Sequence, residues 1–255
     1  MVGCGKMGGA LLSHWMQGSE QFTVVDPALE SAPDGARLVR DRNEIASEAF
    51  DVVIVAIKPQ MIDEILPDYA SMLSENGYVL SIAAGCSLSR LSRLMDGAPA
   101  VRVMPNLPAA VGKGVSGLCA DDNGQGPALA HAEAMMGRTG TAVVVDSEDK
   151  IDRVTAVAGS GPGYVFEIAR AYVAAAMEMG FDEDEARALV LGTIEGAIAM
   201  ALEPGAAGLE DLRNSVTSKG GTTAAGLDAL NGDGTISRKM RETLEAAYNR
   251  AVELR

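Results

Sequence analysis

The chain reads as α/β: a mostly parallel sheet covered by helices, followed by an all-helical C-terminal region. Three observations lead there. Short β-rich runs alternate with amphipathic stretches as far as Asp146, such runs cease after it, and glycines 3, 5 and 8 open the first helical stretch. With 255 residues the chain can bury one large core or two ordinary ones. The change in composition sets the expected division at 1–146 and 147–255.

In chain order, the first half is expected to run helix 6–17, strand 22–26, a weaker strand 37–39 and strand 51–57. Helix 61–73, strand 78–83, helix 88–95, strands 100–104 and 115–120, helix 125–138 and strand 141–145 follow. Runs such as Val52-Val53-Ile54-Val55 suit a sheet buried on both faces. The second half is rich in Ala, Leu, Met and Glu, predicting helices at 150–158, 161–179 and 184–202 and a pair within 221–255. Gly180 stops one of these helices and Asp182 starts the next. The 161–179 and 184–202 helices are apolar on most faces, with alanines for close approach. A region of about a hundred residues has little interior for them, so they are expected to pack against a second subunit.

Charge narrows the ligands. A net −14, from 21 basic and 35 acidic residues, opposes binding to nucleic acid or an anionic membrane, which leaves small molecules. For an anionic ligand, attraction must come from backbone N–H groups, helix N-termini and a few lysines, with Lys58 and Lys219 the candidates. Cys4, Cys86 and Cys119 have neither disulfide nor zinc spacing, which suits a reducing cytoplasm. No apolar run approaches the roughly 20 residues of a membrane span, and no leader pattern opens the chain.

Gly3, Gly5 and Gly8 have the spacing of the Rossmann dinucleotide fingerprint. One glycine makes the tight turn, one lets the backbone approach a pyrophosphate, and one allows close packing of helix on strand. Lys6 and Met7 lie within the same loop and helix start. Asp26 ends the next β-run, where a carboxylate accepts hydrogen bonds from ribose hydroxyls and repels a 2′-phosphate; it leans the cofactor toward NADH over NADPH. Arg37 and Arg40 are near enough in sequence to offset that lean, and Asp26 also fits a turn before Pro27. Only Met1 and Val2 precede the first glycine, so the central strand is expected to be truncated, leaving open backbone on its neighbours, with a natural start several residues upstream.

A second cradle lies at 216–223, Val-Thr-Ser-Lys-Gly-Gly-Thr-Thr, between helical segments. Its consecutive backbone N–H groups suit a carboxylate; its Ser and Thr suit equally a cap on the following helix. Lys58 follows a strand, at the end where open α/β sheets bind ligands, or is a solvated lysine before a proline turn. Asn106 is expected either to meet the cofactor or to hold the Pro105–Pro108 turn. Ser160, Gly161, Pro162 and Gly163 break the helical pattern, bringing small residues where a nicotinamide passes close to backbone, or simply kinking a helix. His14 and His131 are assigned to packing or surface.

Taken together, these segments resemble the pyrroline-5-carboxylate reductase family. The matches run in order: Gly3-Cys4-Gly5-Lys6-Met7-Gly8, Ala56-Ile57-Lys58-Pro59-Gln60, Ser81-Ile82-Ala83-Ala84-Gly85, Val103-Met104-Pro105-Asn106-Leu107-Pro108, Gly159-Ser160-Gly161-Pro162-Gly163-Tyr164 and 216–223. The family commonly has proline at Lys219, alanine at Gly163 and asparagine at Ser215. The resemblance implies NAD(P)H-dependent reduction of 1-pyrroline-5-carboxylate to L-proline, the last step of proline biosynthesis, by a dimer interlocked through its C-terminal helices. It implies cofactor contacts from Gly3, Gly5, Lys6, Met7, Gly8, Asp26, Ala56, Lys58, Pro59 and Asn106. Substrate contacts would come from Ser218, Gly220, Gly221, Thr222 and Thr223. Thr223, Ser218 and Lys58 are the catalytic candidates, Thr223 orienting the proton on the ring nitrogen. No metal is implied.

Two other readings compete. A β-hydroxyacid dehydrogenase or other imine reductase would share the architecture, but the former needs an interdomain acid or base, usually lysine, and none occurs between Lys150 and Lys219. A non-catalytic nucleotide-binding protein is the second.

Overall fold

The computed structural model describes residues 1–33 and 35–254; Arg255, the last residue of the expected helical domain, lies outside them. Two compact units are present, one of residues 1–162 with 246–255 and one of residues 163–245.

The first unit opens with α1 (Lys6–Trp15), β1 (Thr23–Val25), β2 (Arg37–Val39) and β3 (Phe50–Val55). It continues through α2 (Ile62–Ile65), β4 (Leu73–Ser81), α3 (Leu88–Leu94), β5 (Ala100–Met104), β6 (Gly114–Ala120), α4 (Pro127–Gly137), β7 (Gly140–Val144) and α5 (Glu148–Val154). β3 to β7 form one sheet in chain order, parallel except where β6 runs against β5. β1 and β2 pair in parallel beside it. Val2 joins the two pieces by parallel bridges to Val25 and Val55. Its N–H donates to Ile54 O at 2.7 Å, and its carbonyl accepts from Ala56 N at 2.9 Å.

Val2 therefore stands at the place expected of the central strand, between β1 and β3. Below Val2 lies a slot of about 930 Å³ between β1 and β3, with Phe22, Val52, Ile54 and Met135 among its walls. The Met1 ammonium stands at its head, donating to Thr23 O at 2.7 Å. Burial pushes that amine down to about 5, against a smaller opposing pull from Cys4.

Alternation along the strands buries both faces. Val53, Val55 and Val79 pack with Ile62, Leu66 and Leu91 on one side; Ile54, Leu80 and Val101 pack with Leu11, Leu12, Trp15 and Met136 on the other. An ion network ties β5 to α5: Arg102 Nη2 to Asp152 Oδ1 at 3.1 Å and Nη1 to Glu148 Oε1 at 3.0 Å, with Arg102 only 3% and Asp152 1% exposed. Glu148 also accepts from Leu88 N at the start of α3.

Two expected helices come out differently. The 61–73 helix is a single α turn, α2, followed by a 3-10 run at 66–72, because Pro67 near its start lacks the N–H an α-helix needs. The 150–158 helix ends at Val154 and passes into a π turn at 155–159.

The rest of the chain holds α6 (Gly161–Glu178), α7 (Glu183–Leu202), α8 (Leu209–Ser215), α9 (Thr222–Asn231) and α10 (Thr235–Glu253). α8 is unanticipated in sequence, being short and polar. Asp182 starts α7 through a reciprocal capping box with Glu185. Only Ala169 in α6 and Ala186 and Val190 in α7 are buried. Phe166, Ile168, Ile198 and Met200 are more than half exposed in the single chain. No helix among the described residues is long and apolar enough to cross a membrane.

Candidate functional site

The glycine loop sits at the carboxyl end of the parallel strands, and each glycine meets a different physical demand. Gly3 has φ +79°, and a Cβ there would stand 2.7 Å from Ile57 Cγ2 and 3.0 Å from the Ala56 carbonyl oxygen. A Cβ at Gly8 would meet Met1 Cε at 2.6 Å and Ala56 Cβ at 3.3 Å, so this position allows α1 to pack closely. At Gly5 no atom lies within 4 Å of the would-be Cβ. Gly5 is also the N-cap of α1 and supplies no side-chain bond to its first N–H groups. Open space over an uncapped helix N-terminus fits a pyrophosphate.

A pocket of about 220 Å³ gathers seven of the expected residues: Gly5, Lys6, Met7 and Gly8 with Ala56, Lys58 and Pro59 from the end of β3. Ile57 and, from the end of β4, Ile82, Ala83 and Ala84 complete its lining. These four carry no chemistry and were not singled out as site residues. Their signal in sequence is a strand ending in small residues at the binding edge of the sheet. Lys58 is exposed, in extended conformation before the 3-10 turn at 59–61.

Gly3, Asp26 and Asn106 lie outside that lining. Asp26 follows β1, and its carboxylate accepts from Cys4 N at 2.8 Å and Ala28 N at 2.9 Å, binding the glycine loop to the β1 turn. Of the two arginines expected to offset its charge, Arg37 is tied to Glu48 at 2.7 Å and lines the slot below Val2. Arg40 donates through Nη2 to Leu29 O at 3.5 Å, three residues after Asp26 in the chain. Asn106 is 6% exposed and engaged at both ends of its amide: Nδ2 donates to Ala158 O at 3.0 Å, and Oδ1 accepts from Val115 N at 2.8 Å. His131 bonds Tyr78 and Glu20, and His14 lies against Gly112.

In the second unit, the 216–223 segment leads into α9. Gly220 takes φ +73°, open to glycine, and a Cβ at Gly221 would collide with Ser218 Oγ. Gly221 is the N-cap, and no side chain caps the helix. The alternative expected from sequence, Ser or Thr closing the helix on itself, is not what forms. Ser218, Lys219, Gly220, Thr222 and Thr223 are exposed in the single chain.

A glycine fingerprint at the centre of a parallel sheet, with a helical C-terminal part, defines a Rossmann-type nicotinamide-dependent oxidoreductase. Residues 1–85 match the family "NADP oxidoreductase coenzyme F420-dependent", and residues 148–254 match "Pyrroline-5-carboxylate reductase dimerisation". The pyrroline-5-carboxylate reductase of Haemophilus influenzae is 38% identical over 99% of this chain and 96% of its own length. Among solved structures, the pyrroline-5-carboxylate reductase of Coxiella burnetii superposes with a TM-score of 0.89 at 32% identity, covering 99% of this chain and 96% of that one. The Plasmodium falciparum pyrroline carboxylate reductase with NADP bound gives 0.84 at 24% identity, with the same two coverages of 99% and 96%, and shows the shared fold. The chain belongs to the pyrroline-5-carboxylate reductase family.

Proposed function

We propose that this protein reduces 1-pyrroline-5-carboxylate to L-proline by hydride transfer from a reduced nicotinamide dinucleotide, the last step of proline biosynthesis. The observation that carries this is the presence in one chain of two uncapped helix N-termini beside glycines: α1 after Gly5, for a pyrophosphate, and α9 after Gly221, for a carboxylate. The named family relatives support the same reaction. Residues 1–146 would carry the cofactor, and 147–255 the substrate cradle and the subunit contact.

The nicotinamide supplies the hydride when bound, so the chain has mainly to align two rings and stabilise charge. Gly3, Gly5, Lys6, Met7 and Gly8 would hold the phosphates. Ala56, Lys58 and Pro59 would lie along the cofactor, with Lys58 a further catalytic candidate. Backbone N–H groups of Ser218, Gly220, Gly221 and Thr222 would grip the carboxylate. The Thr223 hydroxyl would orient the proton on the ring nitrogen, making the C=N carbon ready for hydride. That carbon gains the hydride, the π pair moves to nitrogen, and the nitrogen keeps its proton. The deciding experiment follows oxidation of NADH and of NADPH with and without the cyclic imine. Imine-dependent oxidation is expected. Turnover of hydroxy acids alone, or cofactor binding with no turnover, would overturn the assignment.

Asp26 would lean the choice toward NADH, with Arg40 as the opposing cation. Asp26→Ser is expected to raise the ratio of kcat/KM for NADPH over NADH by about 10-fold, the worth of one charge repulsion. An unchanged ratio removes Asp26 from cofactor selection. A homodimer through α6 and α7 would cover the exposed Phe166, Ile168, Ile198 and Met200. Ile198→Glu should then shift sedimentation from dimer to monomer, since a buried unpaired carboxylate at an interface is strongly unfavourable; a variant that still sediments as dimer counts against this face. Such a protein fits a reducing cytoplasm.

A further inference from the structure

The segment joining α5 to α6 changes pitch. Residues 155–159 form a π turn closed by Ser160 N–H donating to Thr155 O at 2.9 Å, and α6 begins at Gly161. In an α-helix, Ala158 O would accept from the residue four positions on. That residue is Pro162, which has no N–H. A half-buried carbonyl deprived of its helical partner needs another donor. Asn106 provides one across 52 residues of chain, its Nδ2 at 3.0 Å, while its Oδ1 is held by Val115 N at 2.8 Å. Close packing surrounds the contact. A Cβ at Gly159 would lie 2.8 Å from Met104 Cε, and one at Gly117 would lie 2.7 Å from Val154 Cγ1. Isolated π turns are rare and concentrate at functional sites.

We infer that Asn106 is a positioning residue: it replaces the N–H missing at Pro162 and so holds the Gly159-Ser160-Gly161 turn where hydride transfer requires it, without itself binding the cofactor. This rests on the reductase reading above. A bidentate amide fixed at both ends sets the height of the turn over the end of β5. Its second Nδ2 hydrogen is left on a side chain only 6% exposed, with little access to a carboxamide or ribose.

The test is a cycle of Asn106→Asp, Pro162→Ala and the double variant. Aspartate keeps the acceptor for Val115 N but turns an oxygen on Ala158 O; alanine at 162 restores the backbone donor. N106D is expected to lower kcat by about 10-fold with the cofactor KM changed less than about 2-fold, and the double variant to recover most of that loss. A raised cofactor KM at constant kcat, or a double variant no better than N106D, overturns the inference. Amide exchange over 155–163 in the same proteins reads the clamp directly: faster in N106D, slowed again in the double variant. Exchange that ignores both substitutions also overturns it. Should the parent protein reduce no imine, the reductase reading fails, while the exchange cycle still decides whether Asn106 holds the turn. If N106D does not fold, Asn106→Ala with and without Pro162→Ala gives the same comparison.

Discussion

Arg102→Met is expected to lower the unfolding free energy of the sheet unit by about 3–5 kcal/mol. Arg102 is 3% exposed and faces Asp152, itself 1% exposed, and Glu148, which is 25% exposed. Methionine of similar reach keeps most of the packing but removes the cation from two carboxylates in a low-dielectric setting. The large effect comes from what is left behind, a buried charge that has lost its principal ion-pair partner, more than from the ion pair itself. Against a typical domain stability of about 5–15 kcal/mol, such a loss endangers folding at physiological temperature. Urea unfolding followed by Trp15 fluorescence measures it, since this is the sole tryptophan and it is fully buried beside Phe22. Pairing Arg102→Met with Asp152→Leu should return much of the loss, because an apolar replacement of a whole buried ion pair is often close to neutral. A single variant as stable as the parent would show that the network contributes nothing net.

Thr223→Ala is expected to reduce kcat by about 10-fold to 100-fold, or about 1.4–2.7 kcal/mol of transition-state stabilisation, with a smaller change in the imine KM. The reasoning is local. Thr223 is the second residue of α9, where no side chain caps the helix, so its hydroxyl is not committed to the helix end. A hydroxyl able to orient a proton on the ring nitrogen acts as charge shifts during hydride transfer, and so weighs on kcat more than on binding. Thr223→Ser should retain most of the rate by keeping the hydroxyl. Equal kcat in Thr223→Ala and parent would remove this residue from the chemistry and leave the backbone cradle as the contribution of α9.

The strands were legible because β-branched runs such as Val52-Val53-Ile54-Val55 have few other places to go than a sheet buried on both faces. The glycine loop was legible for a related reason: steric demands at Gly3 and Gly8 are absolute, and the spacing records them. The 61–73 helix was misread because apolar periodicity continues through Pro67, whereas the missing N–H acts on the backbone regardless of the pattern. Ile82, Ala83 and Ala84 line the pocket by backbone position and carry no chemical signature.

Local rules, then, were enough for most of the elements and for the fingerprint, because each depends on residues within a turn or a strand of one another. Folding in three dimensions was needed to decide which ends of those elements meet. Asn106 finds Ala158 52 positions away, Asp26 reaches back to Cys4, and Val2 lies between Val25 and Val55. Such pairings satisfy buried polar groups whose partners are chosen by the sheet order, and sheet order is a property of the whole core.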